Sequence, residues 1–136
     1  VSSPVTRLSD EHCWQLLSYT KLGRLATAAL GVVNIRPVNY IVDGRSILFR
    51  TAPGSKLLEL TVSSQVAFEI DDFGTENAWS VVATGKAHMV TDGEEIMRIR
   101  QLPLFPWVGT DKDIFVRIVV DEVNGRSFAL TPPPVA

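Results

Sequence analysis

The sequence predicts a mainly β fold, a small β-barrel with short helices, and three observations predict it. Apolar and polar residues alternate with period two, most cleanly over residues 65–71. There Val66, Phe68 and Ile70 point one way while Ala67, Glu69 and Asp71 point the other. Turn signals at Gly31, Asp43-Gly44, Pro53-Gly54 and Asn124-Gly125 separate short strand-like runs. A glycine, Gly85, interrupts the long β-rich run 79–90, as at a bulge or barrel bend.

Each element has a local reason. Ser9 is a plausible N-cap, with Asp10 and Glu11 beside the positive helix end. Cys13, Trp14 and Leu17 give that helix an apolar face, and Gly23 is expected to stop it. Residues 24–29 read as a small-residue strand. Residues 32–42 and 46–51 read as a hairpin about Asp43-Gly44, followed by a brief amphipathic helix over 56–61. Residues 73–77 read as a polar loop. Asp92 is expected to cap a helix through Arg100, with Ile96 and Ile99 inward. Residues 102–110 read as a loop rich in proline and aromatics. Residues 114–120 read as a strand, and Asn124-Gly125 as a hairpin turn into 127–130. The 132–136 tail is expected to fray. The count is about six strands and three helices, mostly joined by tight turns, so the sheet should be antiparallel. Closure into a barrel would remove vulnerable edges.

Composition narrows the function. A chain of 136 residues favours one domain, residues 1–136, and can bury a real core. A net charge of −2 gives no basic field to recruit nucleic acid. One cysteine, Cys13, excludes an intrachain disulfide and a cysteine-rich metal site. His12 and His88 lack spaced partners, so no metal site is expected. No apolar run reaches membrane-spanning length, and the expected setting is cytoplasmic. Phosphate loops of the Rossmann and P-loop kinds are absent, as is a Gly-x-Ser-x-Gly elbow.

The candidate site lies between residues 36 and 60. Ser55 can cap the following helix, and Lys56, Arg36 and Arg50 supply cations suited to a phosphate. A plain helix cap with solvated cations is an equal reading of the same spacing. Strand period puts Arg36, Val38 and Tyr40 on one face and Pro37, Asn39 and Ile41 on the other. Pro37 has no N–H to donate, which fits an edge strand or a place where a ring replaces strand pairing. Trp79 could stack on such a ring and Ser80 could bond it, while a core tryptophan is the plainer reading of Trp79. Trp107, between Pro106 and Val108, suits an exposed or interface position.

In order and spacing, these pieces resemble the pyridoxamine 5′-phosphate oxidase-like split-barrel flavoproteins. The resemblance is strongest to the small bacterial branch that includes nitroimidazole-resistance-type proteins. It runs through Gly23-Arg24-Leu25-Ala26, Arg36-Pro37-Val38-Asn39-Tyr40, Phe49-Arg50-Thr51, Gly54-Ser55-Lys56, Val66-Ala67-Phe68-Glu69, Trp79-Ser80-Val81 and Gly125-Arg126. It implies an antiparallel Greek-key split barrel and an FMN-binding homodimer with shared sites. It places the phosphate against Arg36, Ser55 and Lys56. The flavin ring would lie along the backbone of Pro37, Val38 and Asn39 and of Phe49, Arg50 and Thr51. The partner would contribute the strand of Trp79 and Ser80, and the loop of Trp107. The activity implied is a flavin-dependent oxidoreductase acting on a small molecule. The chain departs from true pyridoxamine 5′-phosphate oxidases at its end, where Ser127-Phe128-Ala129-Leu130 stands without their Arg-x-Leu-type segment. Related split barrels bind the deazaflavin F420 or haem, so F420 is the alternative cofactor, and a non-catalytic flavin-binding module is the alternative role.

Overall fold

The computed structural model describes residues 4–61, 65–102 and 114–130. Past Leu102, the loop expected over 102–110 lies outside these residues, as does the terminal tail. The described chain runs β1 (Val5–Leu8), α1 (Asp10–Tyr19), β2 (Leu22–Ala29), β3 (Val32–Asn39), β4 (Ile41–Asp43), β5 (Ser46–Thr51), α2 (Lys56–Thr61), β6 (Gln65–Phe73), β7 (Asn77–Met89), α3 (Gly93–Arg100) and β8 (Ile114–Ala129). All strands join one antiparallel sheet in the order β3-β2-β6-β7-β8-β5-β4, with β1 paired to the later half of β8.

The two ends of this order, β3 and β4, are separated in sequence by Tyr40 alone. One residue spans only a few ångströms. The sheet must therefore curl until its two edges meet at Tyr40, which makes it a split barrel. The tyrosine is 1% exposed, and its hydroxyl donates to the Leu17 carbonyl at 2.7 Å. Its ring meets Phe68 edge-on, with centroids 4.7 Å apart. Burial pushes the Tyr40 phenol above its ordinary range.

The expected hairpin between residues 32–42 and 46–51 is corrected here. Only β4 pairs with β5, through Ile41↔Leu48, Val42↔Ile47 and Asp43↔Ser46. Residues 32–39 pair with β2 instead. The chain turns a corner at Tyr40, where the backbone N–H donates to the Lys21 carbonyl at 3.1 Å.

The expected turn at Asn124-Gly125 is also overturned, because β8 runs unbroken through it against β7. Gly125 serves close approach rather than turning: a Cβ there would stand 2.6 Å from the Cys13 sulfur and 3.1 Å from Leu8. Its missing side chain lets α1 and β1 settle on the sheet. Gly23 likewise lies within β2, and α1 already ends at Tyr19 with Thr20 as its C-cap. The 73–77 loop is shorter than expected, since β6 includes Phe73 and β7 begins at Asn77.

Several local expectations hold. Ser9 accepts the His12 N–H, and Asp92 accepts the Glu95 N–H, each at 3.1 Å. Val66, Phe68 and Ile70 are buried, as their alternation requires. The β7–β8 register shifts between Thr84 and Gly85, where Gly85 pairs with Val120 and Thr84 with Glu122. The extra residue, Asp121, re-phases β8. Val116 and Ile118 face the barrel before it, and Val123 after it.

Two apolar clusters share the sheet. The barrel interior holds Leu17, Leu25, Tyr40, Phe49, Phe68 and Val116 among others. A second cluster, Leu48, Val90, Ile99 and Phe115, lies on the other side of β5 beneath α3. This explains why Ser46, Ile47, Leu48 and Phe49 are all buried although the strand alternates faces. Polar groups fasten α3 over the second cluster. Asp43 accepts from Arg98 at 2.7 Å and from Arg117 at 3.1 Å. Arg117 also reaches Glu95 and Ser46.

The Arg98 hydrogen bond, seconded by Arg117, outweighs burial and holds the Asp43 carboxyl below its usual range. The unfolded chain then binds that proton more readily than the folded one. The stabilisation is complete above the ordinary carboxylate range and is lost as pH falls through the lowered folded value. Urea unfolding from neutral pH into acid should show this loss, and Asp43→Asn should flatten it. An acid limb of the same slope in the variant would remove Asp43 from the account.

Gly85 gives a second test. A Cβ there would stand 2.0 Å from the Val119 carbonyl oxygen, and backbone cannot swing aside as a side chain can. Gly85→Ala should cost about 3 kcal/mol, the upper part of the overpacking range. The urea midpoint measures this, and an unchanged midpoint would mean that the bulge migrates freely.

Candidate flavin site at the barrel seam

The barrel closes at Tyr40 and opens away from it. If the β4–β5 register continued past Ile41↔Leu48, Asn39 would meet Arg50 and Pro37 would meet Ala52. That pairing does not form: β3 pairs with β2 on one side, and residues 49–51 pair with β8. The seam is therefore bordered by the two segments in which the ring contacts are expected, Pro37, Val38 and Asn39 on β3 and Phe49, Arg50 and Thr51 on β5.

Strand alternation explains the choice of proline. Tyr40 directs its N–H toward β2. Successive residues point their backbone groups to opposite sides, so Val38 also faces β2, and Pro37 and Asn39 face the seam. The N–H that Pro37 lacks is one the β2–β3 ladder never uses. On the seam side, the missing donor hinders closure by further pairing. Across the gap, Arg45 accepts from Val120 on β8, so alternation directs the backbone of Arg50 to the seam.

The side chains divide between two faces. Arg36, Val38 and Tyr40 face the interior, as their period predicts, and Pro37 is exposed. The Arg36 Nε is buried and has no hydrogen-bond partner among the described residues. Thr51 and Ser55 meet at 2.7 Å between their hydroxyl oxygens, and Ser55 accepts the Leu58 N–H at 3.1 Å, so Ser55 does cap α2. Leu57 and Leu58 pack against the barrel core, which seats α2 beside β2. Lys56 is exposed at the start of the helix.

Arg50 does not join this group. On β5 the interior face carries Ile47 and Phe49, and Arg50 falls on the face of Leu48, toward α3. The expectation that Arg36 and Arg50 occupy neighbouring strands is corrected, because β3 and β5 do not pair. Tyr40 is sealed in the core and offers no surface at the seam.

Trp79 and Ser80 point to opposite faces of β7. Trp79 packs against the barrel core, the plainer of its two sequence readings. Ser80 lines an outward cleft of about 490 Å³ with Thr84, Glu122, Asn124, Arg126 and Phe128. Trp107 lies outside the described residues. Asp71 and Glu69 bind Arg24 across the exposed outer face, at 2.9 and 2.7 Å. Burial and the adjacent Asp71 raise the Glu69 carboxyl above its ordinary range.

Sequence reading missed Thr27. It is 4% exposed on the interior face of β2, and its hydroxyl also lacks a hydrogen-bond partner among the described residues. The signal available was the alternation Leu25, Thr27 within a strand of small residues, which marks the face but not the unmet bond. Among the described residues, no cluster of histidine, cysteine and carboxylates could hold a metal ion, and no helix is long and apolar enough to cross a membrane.

The chain can now be set beside known proteins. A family model described as pyridoxamine 5′-phosphate oxidase matches residues 9–127. An uncharacterized protein of Mycobacterium tuberculosis is 37% identical over 94 residues, covering 69% of this chain and 86% of its own length. The structure of the FAD binding protein from Mycobacterium smegmatis superposes with a TM-score of 0.85 at 37% identity, covering 93% of this chain and all of that one. A Bacteroides thetaiotaomicron structure, provisionally a 5-nitroimidazole antibiotic resistance protein, shares the fold. Its TM-score is 0.70 at 14% identity, covering 93% of this chain and 89% of that one. The seam architecture and the match over nearly the whole chain agree: the protein belongs to the pyridoxamine 5′-phosphate oxidase family of flavin-binding split barrels.

Proposed function

We propose that the protein binds a flavin nucleotide at the barrel seam, anchored by its phosphate, and acts as a flavin-dependent oxidoreductase on a small molecule. The observation that carries this reading is the Nε of Arg36 on the interior face, buried and without a partner among the described residues. A buried guanidinium donor without an acceptor is costly, and an anionic group beside it would remove that cost. Thr51 and Ser55 add hydroxyls, and Lys56 adds an exposed charge at the mouth. FMN is the first candidate because its phosphate is terminal and doubly charged. FAD is the second, favoured by the 37% identical relative from Mycobacterium smegmatis that is a FAD binding protein.

A bound flavin would supply the redox chemistry. The chain would supply the anchor at Arg36 and the backbone of Pro37, Asn39 and Arg50 toward the ring. No side chain in the seam is assigned as an acid or a base. A cytoplasmic setting suits the single buried thiol of Cys13.

Absorbance of the purified protein and fluorescence titration with FMN, FAD, F420 and riboflavin test the proposal. FMN or FAD should bind, and riboflavin much more weakly. Arg36→Ala should weaken FMN by about 1.5–3 kcal/mol, the range for a charge-assisted bond, and leave riboflavin unchanged. Lys56→Ala should cost less, because an exposed charge is screened. Preference for F420 would move the chemistry to deazaflavin hydride transfer. Binding without turnover of any reductant would favour a non-catalytic module.

The same reading includes a homodimer with shared sites. The outward cleft beside Ser80 and the exposed Val33 and Ile35 on β3 are faces a second copy could cover. Sedimentation at micromolar concentration should show a dimer, and a monomer there would sink the shared-site arrangement.

A further inference from the structure

Thr27 and Arg36 hold the two buried side-chain polar atoms that lack a partner among the described residues. Their positions are related. In the β2–β3 register, Leu25 pairs with Arg36 and Thr27 with Asn34, so Thr27 and Arg36 are diagonal neighbours on one face. That face is the barrel interior, where Thr27 also pairs across to Val66 on β6. Two unmet groups at a diagonal position do not satisfy each other, and one further group within reach of both would serve them. The guanidinium can only donate, and a hydroxyl can donate as well. The missing group is then an acceptor able to take both bonds.

Valine would fill the same volume as threonine without burying an unmet hydroxyl, so the hydroxyl costs stability in the empty protein. From this geometry we infer that Thr27 is a further ligand of the cofactor's phosphate, donating its hydroxyl to the anionic group that Arg36 pairs with. The inference rests on the flavin reading above and extends it to a second strand. The chemistry recognised is a phosphate ester, which FMN, FAD and F420 share and riboflavin lacks.

Thr27→Val and Thr27→Ser separate this role from a structural one. Fluorescence titration should show Thr27→Val binding FMN about tenfold more weakly, as for one lost hydrogen bond to a charged group. Riboflavin affinity should not change, and Thr27→Ser should stay within about twofold of the parent protein for FMN. Thermal melting without cofactor should place Thr27→Val at or above the parent protein, since its hydroxyl has no partner to lose. Titration with FAD and F420 shows which phosphate ester feels the change.

Unchanged FMN affinity in Thr27→Val would overturn the inference, as would an equal loss for riboflavin. A cofactor-free Thr27→Val protein that melts lower or fails to fold would overturn it too, because the hydroxyl would then bond within the fold. The underlying reading fails separately. If the parent protein binds no phosphate-bearing flavin, or Arg36→Ala leaves FMN untouched, the anchored site itself is wrong. If Arg36→Ala weakens FMN and Thr27→Val does not, only the role of Thr27 falls.

Discussion

Everything in this molecule depends on the corner at Tyr40. Strands at opposite ends of the sheet follow one another with a single residue between them, so the sheet has no choice but to curl. The corner is held on three sides. The hydroxyl bonds the last turns of α1 at Leu17, the backbone N–H bonds Lys21, and the ring packs against Phe68. An aromatic edge contact is worth about 0.5–1.5 kcal/mol beyond burial, and a buried hydroxyl bond about 1 kcal/mol. These are modest alone, but they act at the point through which closure is transmitted. The seam exists because the strands leaving this corner diverge before they can pair.

The legible and illegible parts of the fold divide along physical lines. Period-two alternation exposed the interior face wherever one face is wet, as in Val66, Phe68 and Ile70. It failed on β5, where α3 buries the other face as well and Ser46, Ile47, Leu48 and Phe49 lose their contrast. It failed again at Asp121, where the bulge shifts the phase of β8 and makes one strand look like two. Asn124-Gly125 then read as a turn, although the glycine answers to the Cys13 sulfur and Leu8 packed over it. Strand partners were the least readable feature. Local sequence offered Asp43-Gly44 as a hairpin, which is right for three residue pairs, but nothing local tells Arg36 that its partner is Leu25.

The candidate site was legible as a list and less so as an arrangement. Arg36, Pro37, Asn39, Thr51 and Ser55 border the seam, and the Ser55 cap forms as spacing predicts. The division of Arg36 from Arg50, and of Trp79 from Ser80, follows from strand faces that depend on which side the barrel encloses. Chain register decides that, not residue type. Thr27 escaped notice because a threonine in a strand is ordinary by propensity. Only its burial without a partner sets it apart.

The unmet bonds at Thr27 and Arg36 also bear on why the seam stays open. A barrel selected for stability alone would close β3 onto β5 and line the interior with apolar side chains. This one places a proline where the closing ladder would need a donor, and buries the Arg36 Nε and the Thr27 hydroxyl on the interior face next to the seam strand. Each departure weakens the empty fold, and they lie on one interior face or along its seam edge, away from the second cluster beneath α3. That second cluster, tied by Asp43, Arg98 and Arg117, stiffens β5 from the far side without entering the seam. The fold is thus rigid behind the seam and deficient within it. A ligand that supplied the missing acceptor would recover on binding what folding left unsatisfied. Packing beneath α3 on the far side of β5, with unmet polar atoms on the interior faces of β2 and β3, is the arrangement from which the proposed anion-anchored site is argued.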